Sequence, residues 1–452
     1  MTEVLHETER PETENVLLIG LGKHRMPGEL DPAASLQELA GLTETAGGVV
    51  IDSLMVGRAG PDPAHYLGKG KIEEVNEIIA EKSIDLLILD DELSVRQQNR
   101  LDQMLPCRVI DRTALILQIF ADHAQTREGK LQIELAQLSY MLPRLTGMGK
   151  VLSRLGGGIG TRGPGESQLE KDRRHIRRRI DHLKEEIDNI RRQRLVNRER
   201  RKRNQIPVIA LVGYTNAGKS SLLNLLTDAD VVAQDKLFAT LDPVTRRLSL
   251  GDTEALLTDT VGFIQQLPHS LITAFRATME EAIYADLLIH VADSAHPELD
   301  GQIRTVHRVL EEVGCREKPV LYAFNKADLL TDPVDMQRYL SDYQPAVLLS
   351  AKTGEGIERL KALAVDLLPS PVVTRRFVLR QDEGAILSRF YQLGSVSEVE
   401  YGEDGITGFV ALPAHQAEQF RAHFRTLPDD QGTEEEAEDE NQHGVDEEGA
   451  GA

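Results

Sequence analysis

The octapeptide Gly213-Tyr214-Thr215-Asn216-Ala217-Gly218-Lys219-Ser220 spells G-x-x-x-x-G-K-S, and no other stretch limits the folding of this chain as much. The pattern works only where a strand delivers the chain into a tight loop and a helix carries it away. Ile206 to Val212 is apolar and β-branched, as a buried strand is, and Ser221 to Leu226 supplies the leucines of a helix facing a core. In that setting the backbone N–H groups of the loop and of the helix N-terminus face a phosphate. Lys219 brings positive charge to the terminal phosphates, and Ser220 offers a hydroxyl to Mg2+. An α/β domain built on such strand–helix units, binding a nucleoside triphosphate, is the expectation.

The segments that follow come in the order hydrolysis demands. Phe238-Ala239-Thr240-Leu241-Asp242 leads into Pro243. A threonine in such a switch segment can reach Mg2+ through its hydroxyl and the γ-phosphate through its N–H. Thr240 is the first candidate and Thr245 the second. Ala255 to Thr258 reads as a strand running into Asp259-Thr260-Val261-Gly262. In this D-x-x-G the carboxylate can hold the Mg2+ shell through water, and the glycine frees the backbone to meet the γ-phosphate. Leu287 to Ala292 and Val320 to Phe324 read as two more buried strands, the second ending in Asn325-Lys326-Ala327-Asp328. In N-K-x-D the carboxylate accepts from the guanine N1–H and exocyclic amine, which adenine does not present, while the Asn side chain and Lys stem hold the base. Ala346 to Leu349 leads to Ser350-Ala351-Lys352, the place for a backbone N–H to the base oxygen. Each string is short; all of them, in order and at strand ends, select GTP and GDP as ligands.

Composition bounds the rest. The 452 residues, 40% of them hydrophobic, suffice for two to four domains with real cores. The net charge of −21 must be read by region: eleven acids and no Lys or Arg lie from Asp429 to the end, and they alone take it from −10 to −21. Lys171 to Arg203 holds fifteen Lys or Arg against six acids. Cys107 and Cys315 stand far apart without a C-x-x-C, which supports neither a disulfide framework nor a zinc site. No apolar run reaches the roughly 18 residues of a membrane span. Met1 to Asn15 is polar and acidic, lacks the layout of a signal peptide and reads as disordered. A cytoplasmic monomer without membrane insertion is the expectation.

Before the P-loop, Val16 to Leu21, Gly48 to Val56, Ile84 to Leu89 and Arg108 to Asp111 read as strands, with helices at Leu36 to Ala46 and Ile72 to Lys82, an α/β pattern. Gly68-Lys69-Gly70-Lys71 and Asp90-Asp91-Glu92 read as ordinary loops rather than as a phosphate cradle and a metal site. Leu131, Leu135, Leu138, Leu142 and Leu145 then step by heptad spacing, as do Leu169, Ile176, Ile180, Leu183, Ile187 and Ile190. Two such seams predict an antiparallel helical hairpin. Its connector, Thr146 to Gly165, is dense in glycine and carries Lys150, Arg154 and Arg162. The second helix brings Arg173, Arg174, Arg177 and Arg178, and its excess of one sign exceeds that of a merely solvated face. Arg matches phosphate geometry, so the hairpin reads as an RNA-binding device.

The nucleotide motifs, the N-terminal α/β pattern, the string G-G-G-x-G-x-R-G-P-G-E-S-Q-L-E and the switch text F-A-T-L-D-P together resemble the HflX family of ribosome-associated GTPases, within the translation-factor-related branch of P-loop GTPases. The resemblance runs from about Val16 to Leu368. It implies GTP hydrolysis with Mg2+, binding to the large ribosomal subunit, and dissociation of stalled or stress-arrested ribosomes. Many small GTPases place a water-orienting Gln directly after D-x-x-G. Here that residue is Phe263, so hydrolysis by the isolated chain should be slow until a partner or an ion completes the site. Asn216 matches the Asn with which related GTPases bind K+.

The expected organisation is a disordered stretch at 1–15, an N-terminal α/β domain at 16–125, a helical hairpin at 126–205, a central P-loop GTPase domain at 206–369, a small C-terminal α/β domain at 370–428 and an acidic disordered tail at 429–452. The leading functional class is an enzyme whose GTP cycle times ribosome binding. A second is a binding module that holds RNA or ribosomes, with GTP as a stabilising switch ligand, and turnover measured with and without ribosomes separates the two. A GTPase for RNA modification is a third class, which the lack of a Cys-dependent or one-carbon site disfavours.

Overall fold

Val16, Leu17, Leu18 and Ile19 are all fully buried, so the strand they form is covered on both faces, as the centre of a parallel sheet must be. The structure, a computed structural model, describes residues 13–22, 31–58, 60–155, 168–203, 206–227, 237–238, 243–251, 253–265, 279–330, 336–369, 372–402 and 405–425. Residues 1–12, the glycine-rich string with Arg162, the switch residues Ala239, Thr240, Leu241 and Asp242, and the acidic tail lie outside them. The contacts divide the chain into two compact units, 1–368 and 369–452.

The first unit opens with β1 (Asn15–Leu21), α1 (Pro32–Thr45), β2 (Val49–Val56), α2 (Lys69–Lys82), β3 (Leu86–Leu89), α3 (Val95–Met104), β4 (Arg108–Asp111) and α4 (Arg112–His123). The strands pair in parallel in the order β2-β1-β3-β4. Asp31 starts α1 by accepting from the Ala33 N–H, with Pro32 inside the first turn, where its missing N–H costs nothing. Gly68 caps α2, so the Gly68-Lys69-Gly70-Lys71 string is a helix start. Asp90 is engaged by Arg112 and Ser35, and Asp91 by the Tyr66 hydroxyl.

α5 (Arg127–Leu155) and α6 (Gln168–Arg203) run antiparallel. Pairs Arg179–Glu134, Arg127–Glu186 and Arg194–Glu128, at 2.7, 2.9 and 2.7 Å, fix their register. Leu131, Ile180 and Leu183 are buried in the seam. The connector expected from Thr146 begins later. Residues 146–155, Arg154 included, belong to α5, and the glycine run that follows lies outside the described residues. The other face of α5 has its own partner: Ile133 and Ala136 join the core formed by α1 and α4.

Next come β5 (Val208–Gly213), α7 (Lys219–Thr227), β6 (Val244–Leu250), β7 (Thr253–Asp259), β8 (Leu287–Asp293), α8 (Leu299–Val313), β9 (Val320–Asn325), α9 (Gln337–Asp342), β10 (Ala346–Leu348) and α10 (Ile357–Leu367). The sheet order is β10-β9-β8-β5-β7-β6, parallel except for β6, which folds back on β7. One hydrophobic core runs from Leu36, Leu39 and Phe120 to Tyr214, Phe238, Phe263 and Ile264, so α1 and α4 pack directly on the nucleotide elements.

The second unit is β11 (Val372–Leu379), α11 (Gly384–Leu393), β12 (Ser395–Gly402), β13 (Gly405–Pro413), α12 (Ala414–Ala417) and β14 (Phe424–Arg425). It forms an antiparallel sheet in the order β12-β13-β11-β14, with Phe377, Phe390, Val410 and Leu412 in its core.

Candidate functional site

Parallel strands end at one edge, and that edge gathers the motifs. β5 ends at Gly213, β7 at Asp259 and β9 at Asn325, and β10 leads into Ser350. Gly213 takes φ of +154°, and a Cβ there would stand 2.1 Å from the Val291 carbonyl oxygen, so the sharp exit of the P-loop admits only glycine. Asn216 is exposed at the loop's crest with φ of +58°, a conformation Asn tolerates better than most residues. Lys219 is buried, its ammonium donating to the carbonyls of Tyr214 at 2.8 Å and Gly213 at 3.2 Å. Burial pushes its pKa down to about 8, against the opposing pull of Asp259. A charge held in this way gains from an arriving phosphate.

Ser220 Oγ donates to Asp259 Oδ2 at 2.7 Å. A hydroxyl beside a carboxylate is the hard-oxygen pair that Mg2+ takes, so the donor set fits that ion. Thr260 and Val261 are buried, Thr260 Oγ1 donating to the Leu211 carbonyl, which locks the start of switch II to β5. A Cβ on Gly262 would meet Thr215 at 2.8 Å and Lys219 Nζ at 3.1 Å, so the glycine backbone stands beside the ammonium. Thr245, the second switch candidate, sits in the β6 ladder with its hydroxyl on that of Thr258 at 2.9 Å. Thr240, the first, lies outside the described residues.

The base-recognition strings are tied together by side chains. Asn325 Nδ2 donates to the Ala217 carbonyl and its Oδ1 accepts from the Ala351 N–H, both at 2.9 Å, so it joins the P-loop to the Ser350-Ala351-Lys352 turn. Lys326, at φ of +66°, pairs with Asp293 at 2.7 Å, while Ala327 opens a short 3-10 turn. Ser350 Oγ donates to Asp328 Oδ1 at 2.6 Å, which lowers the pKa of that carboxyl and keeps it an acceptor. The Lys352 N–H turns back on the Ser350 hydroxyl. Asp293 belongs to this arrangement and was not singled out in the sequence, where nothing marks it.

Phe263 is 2% exposed and packs in the core, so no polar group occupies the usual place of the water-orienting residue. Phe238 has φ of +59° and sets its ring 4.6 Å from Phe120 on α4. Sequence reasoning also missed a buried chain of polar groups. Tyr214 donates to Glu38, Arg112 donates to both Glu38 and Asp90, and Ser35 donates to Asp90. Tyr214 and Glu38 alone lie 176 positions apart, beyond any local pattern. A cavity of about 600 Å3 between α1 and the loop is lined by Glu38, Tyr214, Thr215, Asn216, Asp293 and His296, among others.

The expected RNA-binding arginines divide. Arg174, Arg177 and Arg178 are exposed on α6, and Arg173 is half-buried. Other arginines of that helix are spent on structure: Arg179 on Glu134, Arg191 on the buried Glu280 and Arg194 on Glu128. Among the described residues no helix is long and apolar enough to cross a membrane.

Residues 208–326 match the family described as 50S ribosome-binding GTPase. Residues 33–121 match the GTP-binding GTPase N-terminal family and 123–201 its Middle Region. A protein named GTPase HflX from Lacrimispora saccharolytica is 47% identical over 407 residues, covering 90% of this chain and 95% of that protein. Another of that name, from Caldanaerobacter subterraneus subsp. tengcongensis, is 47% identical over 375 residues, 82% of this chain and 86% of the relative. Among solved structures, a GTP-binding protein from Sulfolobus solfataricus in complex with GDP is 27% identical and spans 78% of this chain and 98% of that one, with a TM-score of 0.43.

Proposed function

The chain belongs to the family of GTPase HflX proteins and is a GTPase, and from that premise we propose that its GTP cycle times binding to the large ribosomal subunit and the dissociation of stalled or stress-arrested ribosomes. The observation that carries the ribosomal part is the match of residues 208–326 to the 50S ribosome-binding GTPase family. The exposed Arg174, Arg177 and Arg178 on α6 support an rRNA contact, because guanidinium groups pair with phosphates in two-pronged geometry.

In this reading the P-loop residues 213–220 cradle the phosphates, with Lys219 bearing on the terminal ones. The buried Lys219 ammonium, its pKa lowered by burial, gains the counter-charge it lacks when an anion arrives. Gly262 offers its N–H to the γ-phosphate from beside that ammonium. Asp328, kept ionised by Ser350, accepts from guanine, while Asn325 holds the two loops that flank the base. Ser220, with Thr240, would hold Mg2+, and Asp259, paired with the Ser220 hydroxyl, would support it; bound there, the ion would neutralise charge on the phosphates. Phe263 contributes no water-positioning group, so the ribosomal partner, with K+ beside Asn216, completes the site. In this reading an N-terminal α/β domain, a helical hairpin and the GTPase domain precede a small C-terminal domain.

The test uses intact ribosomes in a sucrose gradient with the chain and GTP. Splitting of 70S particles into subunits is expected, together with the chain co-sedimenting with the large subunit. A gradient in which the ribosomes stay intact and the chain stays at the top refutes the ribosomal assignment.

A further inference from the structure

Tyr214 is the P-loop residue that touches switch II and α1 at once. Its backbone lies alongside Phe263: the Thr215 N–H donates to the Phe263 carbonyl at 2.8 Å, and the Phe263 N–H to the Gly213 carbonyl at 3.0 Å. Its hydroxyl accepts from the Gln265 N–H at 2.9 Å and donates to Glu38 Oε1. Glu38 in turn accepts from Arg112, which donates to Asp90 at 2.7 Å, and Asp90 accepts from Ser35 at 2.7 Å. Arg112 is 2% exposed and Glu38 and Asp90 are 9% exposed, so this chain of bonds is largely buried. In such surroundings hydrogen bonds reinforce one another and resist displacement.

We propose that Tyr214 is a positioning residue for recognition of the γ-phosphate: its hydroxyl ties the Gln265 backbone to α1 and so, together with the bonds of Phe263 to the P-loop, steadies Gly262 beside Lys219 before GTP arrives. The proposal rests on the GTPase reading. The position of Gly262 carries the argument, because a Cβ there would lie 3.1 Å from Lys219 Nζ, the charge that marks where the terminal phosphates sit. Backbone already held beside the ammonium spares part of the cost of ordering this segment on binding. That saving applies to GTP and not to GDP, since the γ-phosphate alone meets Gly262. Without the hydroxyl, the Gln265 N–H loses this acceptor and Glu38 loses a donor, and the stretch after Gly262 keeps only the backbone bonds of Phe263 to the P-loop. Glu38 and Arg112 are thereby residues of nucleotide discrimination, although neither lies in a nucleotide motif.

The experiment measures binding of fluorescent GDP and of a non-hydrolysable GTP analogue to the full chain. Tyr214→Phe is expected to lower the preference for the analogue over GDP by about three- to tenfold, the size of one hydrogen bond in an equilibrium constant. Glu38→Ala, which removes the anchor and leaves the P-loop intact, is expected to move the ratio in the same direction. Leu39→Ala, in the same buried face of α1, is the control: it should lower the melting temperature and leave the ratio alone. An unchanged ratio in both Tyr214→Phe and Glu38→Ala overturns the proposal, as does an equal shift in Leu39→Ala. Failure of the parent chain to bind either guanine nucleotide would instead overturn the reading on which the proposal rests.

Discussion

Replacing Arg112 by alanine leaves two carboxylates buried without their counter-ion. Arg112 is 2% exposed and donates to Asp90 at 2.7 Å and to Glu38, and each carboxylate is 9% exposed. Removing one partner of a buried ion pair costs about 3–5 kcal/mol, a large share of the roughly 5–15 kcal/mol that holds a domain folded. The loss must also depend on pH. Burial already raises the pKa of Glu38, and the attraction of Arg112 opposes that rise. Without Arg112 the folded-state value climbs further above that of the unfolded chain, where a Glu titrates near about 4.3. The folded variant then binds more protons than the unfolded one, so its stability falls as pH rises through that window. Urea unfolding followed by circular dichroism, at pH 5.5 and pH 8, reads both effects. The variant is expected to lose about 3 kcal/mol or more at pH 8 and distinctly less at pH 5.5. A loss below about 1 kcal/mol at pH 8, or a gap that widens on acidification, would refute the description of this network as a buried, charge-paired link.

Three further outcomes follow from the nucleotide edge. Asp328→Asn removes the acceptor that Ser350 keeps ionised, and it should weaken GTP binding by about ten- to a hundredfold while binding of xanthosine triphosphate improves; unchanged GTP affinity with no gain for xanthine sinks the role of N-K-x-D. Lys219 titrates near about 8 in the free chain, and a bound phosphate holds it protonated at higher pH, so binding takes up a proton and affinity falls as pH rises past 8. Calorimetry at pH 8 in two buffers of different ionisation enthalpy checks this, and equal apparent enthalpies contradict it. Deleting residues 156–165 should leave GTP binding intact and abolish the splitting of ribosomes; a folded deletion variant that still splits them removes the connector from the account.

What the sequence disclosed depended on how local the signal was. β5, β8 and β9 are short apolar runs, and β5 and β9 each abut a motif, so periodicity and punctuation marked those two together while β8 stood on its apolar run alone. The gathering of Gly213, Asp259 and Asn325 at one edge then follows from parallel pairing. β6 escaped notice because an edge strand reading Val-Thr-Arg-Arg-Leu-Ser-Leu carries little apolar density. α3 buries only Gln97 and Leu101, and α4 is apolar on several sides, so neither shows a clean helical stripe. The hairpin seams gave α5 and α6, but Ile133 and Ala136, on the second buried face of α5, look no different from ordinary helix residues. The Tyr214–Glu38–Arg112–Asp90 chain could not be seen at all, because it exists only once α1, α4 and the P-loop meet.

The central claim is that this nucleotide site is incomplete until the ribosome supplies what Phe263 does not. Steady-state phosphate release tests it most directly, in Na+ and in K+, each with and without purified large ribosomal subunits. The account predicts slow turnover by the free chain and a rise in kcat of about two orders of magnitude or more on adding subunits, as groups supplied in trans produce in other GTPases. K+ should add to the rate if Asn216 helps to hold it. Free protein in Na+ that turns over as fast as the subunit-bound protein in K+ would contradict the account and leave a constitutive hydrolase.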